Sequence, residues 1–237
     1  MERVRSKRTS HPLYLAYFIG RCNPPHQGHI DILVKMLKDV MEHGHAKALI
    51  LLGSGPGKAR TSDNPISFEL KQEFIVYKLT ETLRMSPGDL NSICQILEMS
   101  NSFIDVPAFV RRQVSKTYSS VEIVHYAGDK EGDGTKLARL GERSVSVAKP
   151  FSPDVRFSTT TMIVKQGDII MSATEIRRDA YQLHRDAWIE KYASFYGPFT
   201  HRMYDEITES KGKRGTRKMR KRKTFKINKR RKTNKLI

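Results

Sequence analysis

Short apolar runs alternate with segments of helical periodicity along most of the chain. Runs rich in β-branched, leucine and aromatic residues predict five strands, at 13–19, 48–52, 93–97, 121–126 and 144–148. Apolar residues three and four positions apart predict helices at 29–42, from 67 onward, and at 107–116, 174–183 and 200–209. Strands that alternate with helices in this way indicate a parallel sheet with helices on both faces. We therefore expect an α/β, doubly wound fold with C-terminal helices.

The charge of the chain is concentrated at its end. The 237 residues include 43 Lys and Arg against 25 Asp and Glu, a formal net charge of +18. Residues 211–237 contain 15 of these basic residues and no acidic one, which leaves 28 bases against 25 acids in residues 1–210. We expect one folded domain over 1–210 and a disordered basic tail over 211–237, since like charges repel and apolar residues are few. Such a tail binds polyanions, including nucleic acid, without sequence preference.

Several classes of protein are excluded by the rest of the composition. The longest strongly apolar run, 48–52, is far short of the ~18 residues of a membrane span, so no membrane contact is expected. The first ten residues are charged with no apolar region behind them, unlike a secretory signal. Two cysteines, Cys22 and Cys94, are too few for a disulfide scaffold or a four-sulfur zinc site. We expect an intracellular protein, cytoplasmic or nuclear, and the Arg/Lys/Thr-rich ending resembles those of proteins of large DNA viruses.

The segment after the first predicted strand carries the clearest candidate chemistry. It reads Gly-Arg-Cys-Asn-Pro-Pro-His-Gln-Gly-His over 20–29. In a doubly wound sheet, ligands bind beyond the carboxyl ends of the strands, where a helix N-terminus directs its N–H groups at anions. His26 and His29 are suited to donate ring N–H groups to phosphate oxygens, while Gly28 lets the backbone approach closely. Two alternatives stay open, solvent-facing histidines and a metal site, although no carboxylate stands at the spacing of a zinc-binding helix.

A second motif, near the end of the folded part, narrows the interpretation. Residues 171–177 read Met-Ser-Ala-Thr-Glu-Ile-Arg. Together the two motifs resemble those of the H-x-G-H nucleotidyltransferase superfamily, whose second signature is I-S-x-T-x-I-R; Met171 replaces the leading Ile. The resemblance spans 13–207 and implies a Rossmann-like nucleotidyltransferase domain over 1–210.

Within that superfamily, the chain is most similar to the nicotinamide- and nicotinate-mononucleotide adenylyltransferases of the archaeal and bifunctional type. Their first motif commonly reads G-R-F-N-P-P-H-x-G-H, from which only Cys22 departs. Residues 64–69 are similar to their N-P-F-[ST]-x-x-E-R segment, with Ile66 in place of Phe and Leu70 at the usual position of Arg. Residues 128–131 resemble the stretch after their fourth strand, with Glu131 in place of Asp. The resemblance implies that ATP and a pyridine mononucleotide form a dinucleotide and pyrophosphate, in a protein that often assembles into homo-oligomers.

The resemblance also implies roles for individual residues. Those that would stabilise charge on the reacting phosphates, here called catalytic, are His26, His29 and Arg177. Those that would bind ATP are Gly20, Arg21, Gly28, Gly128, Asp129, Met171, Ser172 and Thr174. Those that would contact the acceptor are Asn23 and Phe109, the second as an aromatic wall for the pyridine ring. Mg²⁺ is expected to arrive with ATP, so no metal ligand is assigned.

Plainer interpretations of the same residues stay open. Ser172 and Thr174 would then be ordinary helix caps, Arg177 a solvated side chain, and Phe109 a core residue. Two other functions also stay open: a related transferase with another acceptor, such as pantetheine phosphate or flavin mononucleotide, and a nucleic-acid-associated protein with an inactive transferase body. A P-loop is excluded, because Leu52 and Ala59 stand where a glycine and a hydroxyl residue are required.

Overall fold

Five parallel strands form one sheet in this computed structural model, which describes residues 11–53, 60–128, 134–152, 154–162 and 172–211. The strands are β1 (His11–Gly20), β2 (Ala46–Gly53), β3 (Cys94–Met99), β4 (Tyr118–Gly128) and β5 (Asp154–Met162). Their order across the sheet is β3-β2-β1-β4-β5, and every neighbouring pair is parallel. Each connection between neighbours must therefore cross a face of the sheet.

Helices cover both faces of this sheet. Those in the described ranges are α1 (Gln27–Glu42), α2 (Phe68–Leu83), α3 (Pro87–Ile93), α4 (Ser102–Gln113), α5 (Gly134–Ala148), α6 (Ala173–Gln182), α7 (Arg185–Tyr196) and α8 (Thr200–Glu209). A 3₁₀ turn, Gly197–Phe199, precedes α8. α1 and α2 share one core with the sheet, and α4 and α5 share another core on its opposite face. The predicted α/β, doubly wound, Rossmann-like fold is confirmed.

β1 is buried on both faces, which explains its unbroken apolar run. Ala16 and Phe18 belong to the core beneath α1 and α2, whereas Leu15 and Tyr17 belong to the core beneath α4 and α5. All four are at most 3 % exposed. A strand with one face in water would alternate with polar residues instead.

The chain changes from one face of the sheet to the other beside β1. α1 follows β1 on one face, whereas α5 follows β4, the neighbour of β1, on the opposite face. The helices that follow these two neighbouring strands therefore lie on opposite faces of the sheet, which makes the β1–β4 pair a topological switch point. Open α/β sheets bind their ligands at this switch point.

The C-terminal helices pack on the same face as α1 and α2. Trp188 of α7 is fully buried, and its indole N–H donates to the carbonyl of Ile176 on α6 at 3.2 Å. Met203 and Ile207 of α8 are fully buried in the same core. The three helices thus extend one core rather than form a separate one.

The predicted strand at 144–148 is wrong. These residues are the end of α5, where Leu140, Ser144 and Ala148 stand four residues apart and are at most 1 % exposed. The fifth strand is β5, which lies at the edge of the sheet and is exposed at five of its nine residues, so it has no apolar run to predict it. The sequence patterns predict neither α3 nor α7, and α4 begins at Ser102 rather than at 107.

The described part of the chain contains no helix long and apolar enough to cross a membrane. Of the basic tail, only Lys211 lies within the described residues. The division at 210 and the disorder of the tail stay predictions.

Candidate active site

The loop after β1 brings the two predicted histidines together at the start of α1. His26 is the N-cap residue of α1, and His29 lies in the first turn. The backbone N–H of His26 donates to Nδ1 of His29 at 3.2 Å, and the two ring centroids are 3.7 Å apart. A neutral imidazole that accepts at Nδ1 carries its proton on Nε2. His29 therefore presents an N–H donor at the positive end of the helix dipole.

The first residues of this loop are constrained by close packing. Gly20 ends β1, and a Cβ there would lie 2.5 Å from the ring of Phe18. Cys22 has a φ of 46°, in the left-handed region that residues other than glycine seldom adopt. Burial raises the pKa of the Cys22 thiol to about 12, so the thiol stays protonated and unreactive at neutral pH. Close packing and backbone conformation therefore fix the start of the loop. Cys22 is a buried structural residue and not a nucleophile.

Asn23 connects the loop to the segment that precedes α2. Its side chain is buried, and its Oδ1 accepts a hydrogen bond from the backbone N–H of Ile66 at 3.2 Å. This contact fixes the orientation of the amide and directs its Nδ2 away from Ile66. A contact between Asn23 and an acceptor stays a prediction.

Arg177 joins the second motif to the first. Its Nη1 donates to the backbone carbonyl of Asn23, a residue 154 positions earlier in the chain. Its Nη2 lies 3.4 Å from the Thr174 hydroxyl. Partial burial lowers the pKa of the guanidinium, and the Arg21 charge adds to this effect while the Asp63 carboxylate opposes it. Two arginines and the two histidines thus lie around one loop, as a site for anionic groups requires.

The N-terminus of α6 carries the hydroxyls of the second motif. Ser172 is the N-cap residue, and its Oγ accepts from the backbone N–H of Glu175 at 3.1 Å. The Glu175 carboxylate accepts a hydrogen bond from the Ser172 backbone N–H, which completes a capping box. Ser172 is therefore used as a helix cap, which was one of its two interpretations. Thr174 is exposed, and its contact with Arg177 is the one described above.

The other residues predicted to bind ATP lie in different parts of the chain. Gly28 is buried in the first turn of α1, and Gly128 is the last residue of β4. A Cβ on Gly128 would lie 3.6 Å from Ile32, an ordinary contact, so packing does not require glycine there. Asp129 and Met171 lie outside the described residues.

Phe109 requires a correction. Its side chain is 0 % exposed in the core between the sheet and α4. An amphipathic helix buries its aromatic residues against the sheet, and Phe109 lies on that apolar face of α4 beside Val106 and Val110. Phe109 is therefore a core residue and not an aromatic wall for a ligand.

A buried lysine lies at the carboxyl end of β2 and was missed by sequence reasoning. Lys71 of α2 is 0 % exposed, and its Nζ donates to the carbonyl of Gly53 at 2.9 Å. Burial lowers its pKa to about 8, and the negative charge of the Glu206 carboxylate opposes this effect. The signal was present, because Lys71 occupies the apolar face of α2 beside Phe74 and Ile75. A lysine at the same helical spacing as buried apolar residues indicates a position where a charged side chain is kept although it is buried.

A second missed contact fixes the proline pair before His26. Tyr196, the last residue of α7, is fully buried, and its hydroxyl donates to the carbonyl of Pro25 at 2.9 Å. The sequence patterns do not predict α7, so no local motif indicates the contact between Tyr196 and Pro25. The C-terminal helices therefore hold the loop at Pro25 as well as at Asn23.

The donor set of this site favours phosphate over a protein-bound metal. Among the described residues, no group of three or more His, Cys, Asp or Glu could hold a metal ion. The side chains around the loop are imidazole, guanidinium and hydroxyl, which donate hydrogen bonds to phosphate oxygens.

Comparisons with known proteins give only distant likenesses. No protein-family model matches the chain, and no curated protein matches it in sequence. Among solved structures, the chain is similar to Plasmodium falciparum nicotinic acid mononucleotide adenylyltransferase complexed with APC, at 13 % identity and a TM-score of 0.32, over 83 % of this chain and 95 % of that chain. It is similar to the RadB recombinase at 13 % identity and a TM-score of 0.26, over 68 % of this chain and 67 % of that chain. Neither likeness is strong enough to carry an argument.

Proposed function

We propose that this protein is a nicotinamide-nucleotide adenylyltransferase, which transfers AMP from ATP to nicotinamide or nicotinate mononucleotide and forms NAD or deamido-NAD. The observation that carries the proposal is the hydrogen bond from Arg177 to the Asn23 carbonyl. It unites two motifs that resemble the signatures of one superfamily, at the switch point where such sheets bind nucleotides. The amide or acid form of the acceptor is left to experiment.

The proposed reaction needs charge stabilisation more than acid–base chemistry. A phosphate oxygen of the mononucleotide attacks the α-phosphorus of ATP, and the bond from that phosphorus to the bridging oxygen of the β-phosphate breaks. Pyrophosphate leaves with the bonding electrons, and a new phosphoanhydride joins the two nucleotides. The attacking oxygen is already an anion, so no general base is required. Catalysis therefore depends on positioning and on neutralising the charge that develops.

The side chains around the loop are suited to these tasks. His29 carries an N–H donor on Nε2 at the N-terminus of α1, where a negatively charged leaving group is stabilised. Arg21 and the half-buried Arg177 supply fixed positive charge for the triphosphate. The buried Lys71 ammonium, which donates to the Gly53 carbonyl, adds positive charge at the end of β2. Mg²⁺, when bound to ATP, would neutralise part of the phosphate charge.

A coupled assay tests the proposal. Purified protein is incubated with ATP, Mg²⁺ and either mononucleotide, and dinucleotide formation is measured for wild type, His29→Ala and His201→Ala. His201 is an exposed histidine of α8, so it is the matched control. We expect His29→Ala to lower kcat by ~10²–10³-fold, the usual effect of removing one well-placed donor, and His201→Ala to leave it unchanged.

The same assay separates the other functions. Absence of turnover with both mononucleotides, from folded wild-type protein, would contradict the pyridine-nucleotide assignment. Turnover with pantetheine phosphate or flavin mononucleotide would then assign a related transferase. Binding of ATP without turnover of any acceptor would favour the inactive transferase body.

A further inference from the structure

The carboxylate of Glu206 contacts the segment 60–67, which comes after β2 in the chain and leads into α2. Glu206 lies on α8, and its side chain is 21 % exposed. One of its oxygens accepts from the Ser67 backbone N–H at 2.7 Å, and the other accepts from the Ser67 hydroxyl at 2.8 Å. Ser67 is the N-cap residue of α2, so this carboxylate also lies near the positive end of that helix dipole. The contact joins residues 139 positions apart in the chain.

The same helix also holds the beginning of this segment. Arg60, the first described residue of the segment, lies 3.8 Å from Glu206 and 3.2 Å from Glu209. Within the segment, Thr61 and Asn64 exchange two backbone hydrogen bonds, at 3.1 and 2.9 Å. Residues 60–67 are therefore a short folded loop whose two ends both contact α8.

This segment in turn holds the active-site loop. The residue before Ser67 is Ile66, whose backbone N–H donates to the Asn23 side chain at 3.2 Å. Asn23 then accepts from Arg177 through its backbone carbonyl. A continuous path of hydrogen bonds and one peptide bond thus runs from Glu206 through Ser67 to Asn23 and Arg177. Glu206 itself lies outside this group of predicted ligand-binding residues.

We infer that Glu206 is a positioning residue, which holds the 60–67 segment so that Asn23 and Arg177 keep the geometry required for transfer. The inference rests on the proposed function for its effect on turnover. A shift of about 1 Å at a reaction site costs up to ~10²-fold in rate, so loss of this carboxylate should reduce turnover without removing a ligand contact.

A purely structural role for Glu206 predicts a different result, and the chain offers a matched control. Arg202 of α8 forms an ion pair with Glu73 of α2 at 2.6 Å. This pair joins the same two helices, but it contacts neither the 60–67 segment nor Asn23. If Glu206 only holds α8 against α2, then Glu206→Ala and Glu73→Ala should impair the protein in the same way.

The experiment compares Glu206→Ala, Glu206→Gln and Glu73→Ala with wild type in the adenylyltransferase assay. We expect Glu206→Ala to lower kcat/KM by at least about tenfold and Glu73→Ala to stay within about twofold of wild type. Glu206→Gln keeps an oxygen that can accept from Ser67, so it should restore most of the activity. Ser67→Ala cuts the same connection, so its effect should not add to that of Glu206→Ala in the double variant.

Hydrogen exchange of the Ile66 and Ser67 amides gives a readout that needs no turnover. Both amides donate in the path described above, so both should exchange faster in Glu206→Ala than in Glu73→Ala. Equal exchange and equal activity in these two variants would overturn the inference, as would a Glu206→Gln variant as impaired as Glu206→Ala. Wild-type protein without turnover would instead contradict the proposed function, and the exchange comparison would still decide whether Glu206 holds the segment.

Discussion

Replacement of the buried Lys71 by methionine tests whether this side chain is an ammonium held at a cost to stability. Lys71 is 0 % exposed, and its Nζ donates a hydrogen bond to the Gly53 carbonyl at 2.9 Å. Burial lowers its pKa from 10.5 to about 8. Methionine has a similar length and no charge, so Lys71→Met removes the ammonium while it keeps most of the packing.

The magnitude follows from the shift in pKa. One pKa unit corresponds to about 1.36 kcal/mol, so the charged side chain disfavours the folded state by about 3 kcal/mol at pH 7. Methionine removes this penalty but also removes a donor to the Gly53 carbonyl, a loss of about 1–3 kcal/mol. We therefore expect the free energy of unfolding of Lys71→Met at pH 7 to equal that of wild type or to exceed it by up to about 2 kcal/mol.

The pH dependence of this difference is the stricter test. Between about pH 8 and pH 10 the unfolded wild-type chain keeps the Lys71 proton that the folded protein has released, so higher pH favours folding of wild type through this group. The methionine variant lacks this contribution. Urea unfolding of both proteins from pH 7 to pH 10 should therefore show the advantage of the variant falling by about 2–3 kcal/mol as the pH rises. A difference that does not change with pH would refute the assignment of a buried ammonium.

Three further predictions concern the site and the tail. Arg177→Lys keeps the charge but loses the planar fork, which contacts the Asn23 carbonyl and which the proposed function also directs at a phosphate, so kcat in the coupled assay should fall by ~10²–10³-fold; turnover equal to wild type would contradict the proposed role of Arg177. Burial raises the pKa of Cys22 and of Cys94 to about 12, so neither thiol should react with iodoacetamide at pH 8 before unfolding, as measured by mass spectrometry, and rapid labelling of native protein would contradict their burial. Deletion of 212–237 should abolish DNA binding and leave turnover unchanged, and DNA binding by the deletion variant would contradict the tail as the binding site. For wild type, the slope of log affinity against log salt concentration should be about −0.9 for each phosphate contacted.

The fold was largely predictable because most strands are buried on both faces. A strand buried on both faces leaves an unbroken apolar run, as in β1 and β2, and four of the five predicted strands correspond to β1–β4. β5 escaped prediction because none of its nine residues is buried and five are exposed, whereas β3, at the other edge, buries Cys94 and Ile96. The apolar residues of 144–148 were assigned to a strand because a short run does not distinguish a period of two from the four-residue spacing of Leu140, Ser144 and Ala148.

The site was predictable only as far as local motifs reach. His26 and His29 are three residues apart, so their place at the start of α1 follows from the sequence around them. The spacing of Lys71 on α2 indicates that it is buried, but its contact with Gly53 and the contacts of Glu206 depend on how α2 and α8 pack, which no local spacing encodes. Phe109 was misassigned for a related reason, because an aromatic residue on an amphipathic helix is far more often in the core than in a binding site.

Each of the three C-terminal helices contacts the region around the first motif. α6 holds Asn23 through Arg177, α7 holds Pro25 through Tyr196, and α8 holds the segment before α2 through Glu206. None of these contacts comes from the sheet, although the histidine loop itself begins at the carboxyl end of β1. β1 and α1 hold the two ends of this loop, and the contacts of the C-terminal helices fix the residues between those ends and the segment beside them. The C-terminal helices are therefore part of the candidate active site, and any opening of these helices from the core would disturb the histidine loop before it disturbed the sheet.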